Sequence, residues 1–104
     1  MFEAEIFFSE TCKSPRYNGV LSGYRPCHQF KRLPGKLWSG IHYYDDPNRF
    51  YRAGDRLPCI IELVCWDTIK ESIFEGDYFL ISEASRKIGI GKVTSIDHSF
   101  SYGS

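Results

Sequence analysis

No excess of either charge, no long apolar run and no paired-cysteine pattern marks this chain. Thirteen Lys and Arg residues balance thirteen Asp and Glu among 104 residues, so no global field draws it toward phosphate or anionic lipid, and any nucleic-acid contact has to be local. The apolar runs are far too short to span a bilayer. The start, Met1-Phe2-Glu3-Ala4-Glu5, lacks the basic-then-apolar order of a secretory leader. The expectation is a cytoplasmic protein with no membrane partner. A Gly-x-x-x-x-Gly-Lys-Ser/Thr loop is absent, and Gly89-Ile90-Gly91 lacks the third glycine of a dinucleotide fingerprint. No nucleotide or other cofactor is expected.

Catalytic and metal chemistry find equally little. Cys12, Cys27, Cys59 and Cys65 show neither Cys-x-x-Cys spacing nor a disulfide framework, and reduced, buried thiols are the plain reading. On strand spacing Cys59, Ile61, Leu63 and Cys65 share one face. A metal site built from these thiols with His28, His42 or His98 has no ligand spacing to recommend it. Asp97-His98-Ser99 holds triad residue types, but consecutive strand residues point to alternate faces and cannot form the relay. The chain is read as a non-enzyme.

What the sequence does carry is a period of two. Phe2, Ala4, Ile6 and Phe8 alternate with Glu3, Glu5 and Phe7, the pattern of a strand with one face on a core. Residues 9 to 23 read as a surface connection, 25 to 31 as a second strand with Pro26 at its start, and 37 to 44 as a third. Residues 59 to 66 are almost continuously apolar, which predicts a strand covered on both sides. Residues 67 to 72 are the one candidate helical turn. Residues 78 to 81 and 87 to 96 form a final hairpin, with Gly89 and Gly91 marking bulges or close backbone approach. Six short strands and hardly any helix predict one all-β domain, a barrel or a sandwich, and closure would remove exposed strand edges.

Several segments in the same order sharpen this. Phe2-Glu3-Ala4-Glu5-Ile6, Ser22-Gly23-Tyr24-Arg25-Pro26, the turn Gly54-Asp55 and the hairpin Glu83-Ala84-Ser85-Arg86-Lys87-Ile88-Gly89-Ile90-Gly91 together resemble the C-terminal β-barrel domain of bacterial elongation factor Tu. The resemblance runs from Phe2 to about Ile96. It implies a six-stranded closed antiparallel Greek-key barrel that binds and does no chemistry. In that family one barrel edge contacts the T stem of aminoacyl-tRNA, and the barrel also packs on protein neighbours. Carried over, the partner or RNA contacts are Arg16 and Tyr17 in the first loop, Arg25 and Cys27 around the proline, Ser39, and Glu83, Ala84 and Arg86 at the hairpin. Cys27 stands where the family pattern has glutamine, Tyr17 where it commonly has histidine, and Ala84 where it has glycine.

Three functional classes follow. A binding module of translation would engage a protein or tRNA. A mimic of the factor's barrel would act through protein contacts, as an immunity or decoy protein does against a toxin. An enzyme on a divergent barrel ranks last. The basic residues are spread along the sequence, and at zero net charge they read as an ordinary solvated surface. Phe2, Phe8, Phe30, Tyr78 and Phe79 read as core and cross-strand pairs.

Overall fold

The predicted alternation is realised as β1 (Phe2–Phe8), β2 (Cys27–Phe30), β3 (Trp38–Tyr44), β4 (Arg56–Leu63), β5 (Tyr78–Glu83) and β6 (Arg86–Ile96), in a computed structural model that describes residues 1–9, 19–84 and 86–96. All neighbours pair antiparallel, in the closed order β1-β4-β3-β2-β5-β6 with β6 returning to β1. The domain is mostly β, a six-stranded closed barrel. A short helix α1 (Trp66–Ile69) and a 3-10 turn (Lys70–Ser72) join β4 to β5, where the sequence allowed a helical turn.

Closure explains which side chains go inside. β1 buries Phe2, Ala4, Ile6 and Phe8 and turns Glu3 and Glu5 outward. The rings of Phe2, Phe30 and Phe79 meet in the interior with centroids 5.2 to 6.0 Å apart, a geometry that adds about 0.5–1.5 kcal/mol per pair beyond area burial. Trp66 of α1 stacks on Phe2 at 5.8 Å, so the helix serves as a plug over one end of that cluster.

β6 does most of the bending. Its register with β5 passes from Ile81↔Gly89 to Ser82↔Lys87, skipping Ile88, and its register with β1 passes from Ala4↔Val93 to Glu3↔Ser95, skipping Thr94. Each extra residue sharpens the local twist, which lets one long strand wrap between two neighbours. Gly91 meets the second expectation for the glycines, close approach. A Cβ built there would fall within 2.8 Å of three atoms of the Phe79 ring, so the ring lies directly against the β6 backbone.

The structure corrects the reading of the fourth strand. β4 begins at Arg56 and ends at Leu63, because Pro58 lies just beyond the β3 ladder, whose last pair is Tyr44↔Cys59. There its missing N–H costs no ladder hydrogen bond. Nor is the strand covered on both sides. Leu57, Cys59, Ile61 and Leu63 are buried, whereas Ile60 is exposed and Val64, just past the strand, is 71% exposed. Cys65 does not share the buried face of Cys59, since the strand has ended and the thiol is exposed. Tyr78, read as core, points outward at 50% exposure while its neighbour Phe79 fills the interior.

Gly91→Ala is expected to destabilise the barrel by about 1–3 kcal/mol, the range for overpacking a filled interior. Urea unfolding of the variant checks this, and Phe79→Leu in the same chain should recover part of the loss.

Candidate partner-binding site

Inside the barrel lies a polar group that the sequence reading treated only as possible metal ligands. His28 on β2 and His42 on β3 alternate inward with Phe30 and Tyr44, and all four are buried. The Trp38 carbonyl, 2.9 Å from His28 Nδ1, can only accept, so Nδ1 carries the hydrogen. His28 Nε2 is then an acceptor, and His42 Nε2 donates to it at 2.7 Å. His42 Nδ1 in turn accepts from the Tyr44 hydroxyl at 3.0 Å. With both imidazoles neutral, every member of the chain from Tyr44 to Trp38 has a partner of the right kind.

Its surroundings enforce that state. Tyr24 packs edge-on to His42 at 6.0 Å and Phe79 lies 5.7 Å from His28. Gly40 clears the space, since a Cβ there would lie 2.9 Å from both His28 Cε1 and Leu63 Cδ2. Burial pushes the His28 pKa down to about 4, and it holds His42 well below the ordinary histidine range, with the charge of a protonated His28 acting in the same direction. Burial likewise pushes the Cys59 thiol up, so it stays protonated. Tyr44, His42 and His28 are all buried, so the relay presents no group to a substrate. Among the described residues no group of three or more His, Cys, Asp or Glu could hold a metal ion.

The outer surface is where the structure gathers the sequence-derived site. Cys27 pairs with Ser39 on one side and Ser82 on the other. Glu83 follows Ser82 and pairs with Arg86 across the hairpin that holds Ala84. Arg25 is exposed two residues before Cys27, on the same side of the alternation. Arg25, Cys27, Ser39, Glu83, Ala84 and Arg86 therefore border one rim of the barrel, whereas Arg16 and Tyr17 lie outside the described residues. So do Cys12 and Asp97-His98-Ser99. At this rim two shielded polar atoms, Ser82 Oγ and Glu83 Oε2, have no hydrogen-bond partner among the described residues, a rarity inside folded proteins. Ala84 has φ 55°, the left-handed region that costs a side-chain-bearing residue about 1–2 kcal/mol.

Below that rim the outward faces of β2, β5 and β6 form a surface that the linear sequence conceals. Gln29 lies beside Leu80 and Leu80 beside Ile90, while Tyr78 lies beside Lys92. A groove of about 580 Å³ runs along them, rimmed by Gln29, Lys31, Pro34, Tyr78, Lys87 and Ile90. Lys92 Nζ sits over the Tyr78 ring at 5.7 Å. Next to Lys31, Arg32 grips Asp77 through two bonds of 2.9 and 2.7 Å and lies over Phe74 at 4.7 Å. Hydrogen bonding to Arg32 holds the Asp77 carboxyl below its usual range.

Outward on β1 and β4 stand Glu3, Glu5 and Glu62, with Arg56 bridged to Glu5 at 3.3 Å. On the groove side Lys31, Lys87 and Lys92 make no ion pair among the described residues. Strands distant in sequence bring Lys31 and Lys87 to one groove, while Lys92 stands opposite Glu5 across β6 and β1. The β3 and β4 flank has an apolar patch of its own, Tyr43 beside Ile60, with Val64 exposed nearby and the Tyr43 hydroxyl donating to Glu62 Oε1 at 3.0 Å.

A comparison of the sequence with models of known protein families found no match.

Two outcomes are expected. Both histidines resist protonation in the fold while the unfolded chain takes protons near pH 6.5, so stability is complete above that pH and is lost as the pH falls. For His28, with a folded pKa of about 4, the loss reaches about 3 kcal/mol by pH 4, with His42 adding in the same direction. Urea unfolding at pH 7.5 and pH 4.5 checks the sign, and a His28→Phe, His42→Phe chain should show a flatter profile. Ala84→Gly should raise stability by about 1 kcal/mol by removing the left-handed alanine, read as an upward shift of the urea midpoint.

Proposed function

We propose that this protein is a non-catalytic, cytoplasmic binding module, related to the C-terminal barrel of elongation factor Tu, that binds a component of the translation machinery, either a protein or tRNA. The observation that carries the reading is the continuity of two surfaces. The rim residues that the resemblance marks as contacts, Cys27, Ser39, Glu83, Ala84 and Arg86, adjoin the lysine-bordered groove on β2, β5 and β6. A surface with an apolar floor and an incompletely neutralised basic border is built for a partner rather than for water.

Supporting features lie on both sides of the barrel wall. The polar groups inside are spent on one another, leaving no exposed acid and base pair there for chemistry. The strand order β1-β4-β3-β2-β5-β6 suits the Greek-key path that the resemblance implies. The absence of a matching family model leaves the kinship resting on the short motifs and the barrel.

A second reading, protein binding by mimicry as in an immunity or decoy protein that neutralises a toxin, is favoured by one specific feature. The β3 and β4 flank offers exposed Tyr43, Ile60 and Val64 beside Glu62, a composition suited to protein contact and unsuited to phosphate.

The decisive test is binding of the full chain to aminoacyl-tRNA in parallel with recovery of partners from a translation-active extract. If tRNA is the ligand and about three phosphates meet lysines, log affinity should fall with log salt at a slope of about −3, and Lys87→Glu should lower both affinity and slope. If a protein is the ligand, a ribosomal or factor protein should be recovered stoichiometrically. No shift at low salt together with no translation protein in the recovered material rejects the reading, and recovery of a toxin instead establishes the second.

A further inference from the structure

Lys31 and Lys87 border an apolar groove whose lining, among the described residues, holds no carboxylate, and that pairing of charge with apolar floor describes a partner. We propose that the groove between β2, β5 and β6 receives an acidic protein segment carrying apolar side chains, whose carboxylates meet Lys31 and Lys87 while its apolar residues seat on Leu80, Ile90 and Tyr78. This rests on the binding-module reading and names the chemistry of its partner.

The choice of an acidic partner follows from charge. Two neighbouring cations are already held: Arg32 by Asp77, and Arg56 by Glu5. Lys31 and Lys87 have no ion pair, and no carboxylate lines the groove, among the described residues; Lys92 stands opposite Glu5 across the β1–β6 ladder and is not part of this border. Opposite charge brought to this border gains attraction and displaces little, and it steers the encounter.

The choice of protein over nucleic acid follows from the floor. Leu80 and Ile90 lie side by side, with Pro34 nearby and Gln29 as the one uncharged polar side chain at the border. Aliphatic side chains offer neither a stacking plane nor base-edge hydrogen bonds, the two devices that hold single-stranded nucleic acid. Tyr78 is the one exposed ring in the groove, and Lys92 already lies over it. An apolar centre with a charged rim is the layout of a protein interface. Recognition must run through side chains, because each strand of the closed barrel already has two neighbours and none offers a free edge for strand addition.

The test titrates the isotope-labelled full chain with a synthetic helical peptide bearing leucines at i, i+3, i+4 and i+7 with glutamates between them, and follows backbone amide shifts. The amides of Gln29, Lys31, Leu80, Lys87 and Ile90 should move, and a leucine-to-serine version of the peptide should move none of them. Lys31→Glu with Lys87→Glu should weaken binding about tenfold or more, while unchanged urea unfolding shows that the variant still folds. An unresponsive groove, binding that survives the charge reversal, or polyuridylate that binds the groove in place of the peptide each overturns the inference. Binding of aminoacyl-tRNA or a translation protein with a silent peptide sinks this inference and leaves the binding-module reading intact. Peptide binding with no translation component recovered does the reverse.

Discussion

Each strand of this barrel has two neighbours, since β1 pairs with β4 on one side and with β6 on the other, and that closure governs both surfaces of the sheet. It leaves no strand edge to protect and none to lend to a partner. It also gives every inward residue a fixed volume to share. The interior is thus a packing problem solved by pairing large with absent side chains, Phe79 against Gly91 and His28 against Gly40. A barrel of six strands encloses too little space to admit water beside rings of this size.

The histidine pair shows what the enclosed space demands of polar groups. Buried imidazoles are tolerated when each nitrogen has one partner of the right kind, and the Trp38 carbonyl at one end sets the direction of donation along the whole chain. This bond also crosses the seam between β2 and β3, where only Cys27↔Ser39 and His28↔Trp38 pair within the strands. The side chains reinforce the shortest ladder of the barrel. The seam borders Cys27 and Ser39 at the candidate rim, so interior packing supports the geometry of the outer surface.

Outside, closure acts on charge. Lys31 leaves β2 while Lys87 belongs to β6, far apart in the chain, yet β5 joins the two strands and brings both lysines to one groove. Glu3, Glu5 and Glu62 are collected on the other flank in the same way. Where the two sides meet, Glu5 of β1 stands opposite Lys92 of β6. The strained Ala84 at the hairpin rim adds a local cost on the groove side, at the kind of position where folded proteins keep strain for binding.

The chain's own pattern was enough for six short strands and the brief helical turn, because a period of two and turn residues act locally; it left a barrel and a sandwich open, and the closed antiparallel barrel came from the family resemblance. Cys27, Ser39, Glu83, Ala84 and Arg86 are named as contacts only through the family resemblance, and their adjacency comes from the ladders that join β3, β2, β5 and β6. The pattern misjudged Ile60, Val64 and Cys65, since an apolar run says nothing about whether a second layer covers its outer side. It overlooked the His28–His42–Tyr44 chain, although the alternation of His28 with Phe30 and of His42 with Tyr44 pointed all of them inward; their meeting depends on the β2–β3 register, which no local signal specifies. The lysine-bordered groove is of the same kind. Charge balance is a sum over the chain, whereas a surface field depends on which strands become neighbours, and that is settled only when the barrel closes.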